Sequence, residues 1–122
     1  FWLDGIEVDW NGRHRPVSEH TINIYDYVAL MDYRDKAEGR DSILSHAASE
    51  IAYANEVGKK VVIGLEVSPN DINKVTFDEE GPKVFEQEVR KVERALRNEP
   101  SFDGFAIHHY RAYRRWAGRY WE

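Results

Sequence analysis

The sequence predicts an α/β fold: four parallel βα units forming half of a (β/α)8 TIM barrel, with a small β-hairpin in the first loop, as one domain over residues 1–122. Three observations carry this expectation. Short continuous apolar runs, Val28-Ala-Leu-Met31, Val61-Val-Ile-Gly-Leu65 and Phe105-Ala-Ile107, read as strands apolar on both faces, as buried parallel strands are. Each run ends in groups able to move protons: Asp32-Tyr33-Arg34, Glu66, and His108-His109-Tyr110. In α/β proteins the working residues sit at such strand ends, so the three tips are expected to face one another. Helix-patterned stretches separate the runs, and right-handed crossovers then set the strands side by side.

In chain order, Phe1-Trp-Leu-Asp-Gly-Ile6 reads as a first strand tip. Ile6 to Trp10 and Arg13 to Val17 flank Asn11-Gly12, a dipeptide suited to a two-residue hairpin turn. Ser18 is placed to cap a short helix through Ile24, ahead of the Val28 strand. Asp41 or Ser42 caps a longer helix ending at Gly58, in which Leu44, Ala47, Ala48, Ile51, Ala52 and Ala54 form a face of mostly small residues. Beyond the Val61 strand, Ser68 to Pro82 is a polar loop with a possible capping box, Thr76-x-x-Glu79. Phe85, Val89, Val92 and Leu96 mark a helix running to about Asn98, with Pro82 in its first turn and Pro100 as its stop. Tyr110 to Trp121 forms a last amphipathic helix, with Tyr113, Trp116, Ala117 and Tyr120 on one face.

Composition narrows the class of function. No apolar run approaches the ~20 residues of a membrane span, and with no cysteine, disulfides and thiolate metal sites are excluded. The formal charge of −5 argues against a nucleic-acid partner held by bulk electrostatics. The arginine-aromatic tail from Tyr110 to Trp121 is explained by its helical stripe. The opening at Phe1 fits a processed chain or a piece of a longer barrel. Four strands apolar on both faces would leave an inner face and two edges bare, so a homodimer or a missing N-terminal half-barrel is expected to cover them.

From Trp2 to Tyr113 the chain resembles the C-terminal four βα units of uncharacterised bacterial barrels with a glycosidase-like architecture. The resemblance rests on Ile22 to Asp35, Gly58-Lys-Lys-Val-Val-Ile-Gly-Leu-Glu66, Thr76-Phe77-x-x-x-Gly81 and Gly104-Phe-Ala-Ile-His-His-Tyr110. Leu30-Met-Asp-Tyr33 is also similar to the sixth strand of family-18-type chitinases, whose ending contributes an active-site tyrosine. The chitinase Asp-x-x-Asp-x-Asp-x-Glu pattern is absent, so that family's mechanism does not transfer. What the resemblance implies is a half-barrel of hydrolytic, carbohydrate-directed ancestry.

Glu66 is the first candidate for chemistry, because partial burial at an apolar strand end raises a carboxyl pKa towards the range of a general acid or base. Its alternative role is an ion pair with Arg34. Asp32 is its potential acid/base or nucleophile partner, the pattern of a two-carboxylate glycosidase. Strand alternation allows one of His108 and His109 to face the site, with His108 as the catalytic choice. Tyr33, Arg34, His109 and Tyr110 are candidates for substrate binding. Asp32, Glu66 and a histidine are also metal-ligand types, but no close-spaced ligand motif accompanies them, so metal-free catalysis without a cofactor is expected. A non-catalytic, self-associating scaffold or binding module is the alternative function.

Overall fold

The computed structural model describes residues 5–121, without the side chain of Trp121. An antiparallel hairpin comes first, of β1 (Glu7–Trp10) and β2 (Arg13–Pro16). Asn11 and Gly12 turn it with φ of 53° and 78°, the two positive values that a type I′ turn requires. The hairpin is fastened to α1 (Val17–Ile24), where His20 donates from Nε2 to Val8 O at 3.0 Å and Val17 N to Ile6 O at 2.8 Å. Ser18 therefore sits within the first helical turn, and Pro16 holds the capping position.

A parallel sheet follows, in the order β3 (Tyr27–Met31), β4 (Lys60–Glu66), β5 (Phe102–His108). Its crossovers are α2 (Ile43–Val57) and α3 (Gly81–Leu96), and α4 (Tyr110–Trp121) closes the chain. Ser42 caps α2: its Oγ accepts from Ser45 N while Ser45 Oγ accepts from Ser42 N, and Gly58 ends the helix in the left-handed region. Thr76 does not cap α3, which begins at Gly81. Its buried hydroxyl donates to Ser68 O at 2.6 Å and accepts from Asp78 N, pinning the loop between β4 and α3.

Sequential strand order with right-handed crossovers puts both connecting helices on one face of the sheet. Val28 and Leu30, Val61, Ile63 and Leu65 point to that face and form the core with Ile43, Ala47, Ile51, Val92 and Trp116. On the other face Ala29, Met31, Ala106 and His108 are exposed. The β4–β5 register carries a bulge: Val61 lies opposite Phe102 but Ile63 opposite Phe105, so β5 holds an extra residue at Asp103-Gly104, where Gly104 adopts φ 101°. Phe102 and Phe105 consequently share the helix-covered face, with ring centroids 5.4 Å apart.

This architecture corrects the expected half of a (β/α)8 barrel. The described residues form three parallel βα units preceded by a hairpin and a helix, rather than four consecutive parallel units. Most of the anticipated first strand, residues 1–4, lies outside the described residues. Gly5 turns at φ 76°, and the two strands after it satisfy each other as an antiparallel pair. Strand and helix therefore alternate only from β3 onward.

Gly64 admits no larger residue. A Cβ there would lie 2.5 Å from the backbone oxygen of Leu30 and 3.5 Å from the Tyr33 ring. Gly64→Ala is expected to cost about 1–3 kcal/mol in urea unfolding, since a strand backbone must shift to admit the methyl group. Unchanged stability would refute this packing.

Candidate functional site

The bulge and the register together set Glu66 beside His108 at the C-terminal end of the sheet. Glu66 belongs to the open-face phase of β4, with Val62 and Gly64, yet is only 8% exposed, so its charge must be satisfied by nearby donors. Ser68 N donates to Oε1 at 2.8 Å, and His108 Nδ1 pairs with Oε2 at 2.8 Å. Burial pushes the Glu66 carboxyl pKa up, but the Ser68 hydrogen bonds and then His108 outweigh it and hold the group below its ordinary value. The expected elevation is thus reversed, and Glu66 is a carboxylate at neutral pH.

The His108 side chain is 53% exposed. With Nδ1 donated to the carboxylate, its Nε2 is left to meet a ligand. The Tyr33 ring lies over Gly64, with its centroid 5.9 Å from that of His108. Burial and then the Glu66 charge raise the Tyr33 hydroxyl above its usual pKa. Beside Tyr33 a groove of about 360 Å³ continues between Met31 and the loop residues Ile72 and Lys74.

Asp32 is not part of this group. It is in phase with Val28 and Leu30, on the helix-covered side, and is 4% exposed with both carboxylate oxygens lacking a hydrogen-bond partner. Desolvation pushes its pKa up to about 8, against a smaller opposing effect of Arg34. Strand alternation carried this signal, because the β3–β4 register sets Leu30 beside Ile63, and Asp32 continues that row.

Arg34 pairs with neither Glu66 nor Asp32. Its Nε donates to Asp41 Oδ1 at 2.8 Å and its Nη1 to Tyr33 O at 2.7 Å. Asp41, absent from the sequence-derived site, also accepts from His46 Nε2 at 2.6 Å and Lys74 Nζ at 2.8 Å. Lys74, His46 and Arg34, in that order of effect, hold its carboxyl well below the usual range. This hub ties the loop after β3 to the loop after β4, and residues so far apart in sequence leave no local pattern.

His109 turns away from Glu66 and lines a cavity under α4. The peptide bond joining the two histidines is cis, and their rings meet edge to face at 4.9 Å. Tyr110 is 76% exposed, and its side chain makes no hydrogen bond or ring contact among the described residues. Asp32, Glu66 and His108 do not assemble into a ligand set. Asp35, Glu79 and Glu80 do bring carboxylate oxygens within 4.8 Å of one another, and burial followed by the Asp35 hydrogen bond pushes Glu80 up to about 7.

The Asp32 shift has a definite sign in stability. Below about pH 4 its carboxyl is protonated in the folded and unfolded chain alike, and the stability of the neutral form is fully present. Between about 4 and 8 the unfolded chain has released the proton that the folded chain still holds, so stability falls as pH rises. Asp32→Asn is expected to flatten that part of the curve and to gain about 2–4 kcal/mol at pH 7, read from urea unfolding at a series of pH values. Parallel curves for the two proteins would contradict the burial of this carboxyl.

No protein family, curated protein or solved structure matches this chain, so the geometry of the site stands alone as the guide to its chemistry.

Proposed function

We propose that the open face of the sheet is an acid/base site for hydrolysis of a carbohydrate substrate, with His108 as the group that moves the proton. The observation that carries this reading is the 2.8 Å pairing of a buried, ionised Glu66 with the exposed His108. The carboxylate fixes the orientation of the imidazole through Nδ1. His108 Nε2 takes a proton from a water as it attacks, and the same nitrogen returns the proton to the departing oxygen. Water adds across the broken bond, and the site ends in its starting protonation state. Tyr33 offers a ring face for a sugar, and Lys74 with Ile72 lines the groove beyond it.

The burial of Asp32 on the opposite side favours a second reading, because it removes the partner that a two-carboxylate glycosidase needs. On that reading the face binds a glycan without cleaving it.

Assays with nitrophenyl glycosides and acetylated sugars separate the two. Turnover is expected to disappear in His108→Ala and to fall about 10²–10⁴-fold in Glu66→Gln, with folding retained by circular dichroism. Activity within a few-fold of the native level in either variant would remove the pair from the chemistry. Glycan binding with no turnover by the unmodified protein would establish the binding face instead.

A further inference from the structure

Met31 and Ile72 are large apolar side chains left 47% and 56% exposed, and both line the groove beside Tyr33. Met31 ends β3 on the open face of the sheet, whereas Ile72 and Val75 come from the loop after β4. The groove is built before any ligand enters, because these two stretches of chain are tied together. Arg34 and Lys74 both pair with Asp41, and Asp35 N donates to Lys74 O at 2.9 Å.

The polar members of the lining are already engaged with the chain itself. Arg34 donates to Asp41 and to Tyr33 O, Lys74 Nζ donates to Asp41 Oδ2 at 2.8 Å, and Asn70 Oδ1 accepts from Ile72 N at 2.8 Å. The surface left to a ligand is chiefly apolar: Met31, Ile72, Val75 and the Tyr33 ring. A sugar ring seated there would turn hydroxyls towards hydrocarbon, whereas an apolar group would take both surfaces out of water. The volume of about 360 Å³ suits a small group. Tyr33 also neighbours His108, their ring centroids 5.9 Å apart, so the groove and the Glu66–His108 pair share one wall.

Given the carbohydrate reading of the Glu66–His108 pair, on which this assignment rests, we infer that the substrate is a sugar carrying an alkyl or aryl substituent. The sugar lies at Tyr33 and His108, and the substituent occupies the groove between Met31 and Ile72. A plain oligosaccharide fits this surface less well, because each further sugar unit needs polar partners that the lining has already engaged.

Met31 is the single methionine of the chain, so carbon-13 labelling of its methyl group gives one NMR signal that reports from the groove itself. The full chain is titrated with methyl, butyl and hexyl β-glucosides. The signal is expected to shift saturably, with affinity rising about twofold per added methylene, half the free energy of complete burial, so that hexyl glucoside binds about tenfold or more tighter than methyl glucoside. Ile72→Ser is expected to weaken hexyl glucoside about fivefold, whereas Ile24→Ser, at an isoleucine of similar exposure outside this lining, changes it by less than about twofold. Equal affinity for all the glucosides, an unmoved Met31 signal, or equal losses in the two variants would overturn the inference. So would a Met31 signal that shifts with protein concentration alone, which would assign the groove to a second copy of the chain. Turnover of the same glucosides by the unmodified protein is measured in parallel. Binding that follows chain length without turnover retains the groove and rejects catalysis by His108, whereas turnover indifferent to the substituent does the reverse.

Discussion

A carboxylate that is nearly enclosed at a strand end must find donors, and Glu66 organises the upper part of this molecule by doing so. Its side chain takes the Ser68 amide and the His108 imidazole, and its carbonyl takes Phe77 N at 2.9 Å. Three separate stretches of chain are thereby gathered at one residue: the turn leaving β4, the end of β5 and the far side of the loop. Thr76 reinforces the closure through Ser68 O. With the loop held, Phe77 and Asp78 present the acceptors that receive Trp116, Tyr120 and Arg119 from α4. The electrostatic need of one side chain is thus coupled to the docking of the last helix.

The sheet is layered on one side, and this separates chemistry from core. Side chains in phase with Val28 and Ile63 enter the helical layer, where Asp32 loses its hydration and is better neutral than charged. Side chains in the other phase, Met31 and His108 among them, meet solvent. Two carboxylates at neighbouring strand ends, one residue out of phase, therefore differ in protonation at neutral pH. The ionised one accompanies an exposed imidazole, which is the arrangement that suits proton transfer.

Much of the secondary structure was legible because its causes are local. Asn11-Gly12 encodes a turn, Ser42 and Gly58 bracket a helix, and the runs at Val28, Val61 and Phe105 mark strands. The half-barrel reading went wrong where local signals end. It counted an apolar opening as a fourth parallel unit, whereas the described chain enters a self-paired hairpin. Glu66 and His108 were recognisable as strand-end groups, and their meeting depended on register. Asp32 was drawn to the site by its type and position along the strand, while its phase pointed to the core. The Asp41 hub lies in a loop whose partners are brought near only by the folded sheet.

The extra residue at Gly104 acts as a phase shifter for everything after it. Counted straight from the Val61–Phe102 pair, the residue opposite Glu66 would be Ile107, and the imidazole would fall on the opposite side of the sheet. One glycine in a conformation closed to most side chains thus selects which chemical group the carboxylate meets, four residues away along β5. Deleting the extra residue would leave Glu66 opposite His108 in a regular ladder, whereas flattening the bulge at constant length would exchange polar for apolar at the strand end without altering a single side chain there. In a lineage of such chains, whether this short segment bulges would be as decisive for chemistry as the identity of the histidine itself.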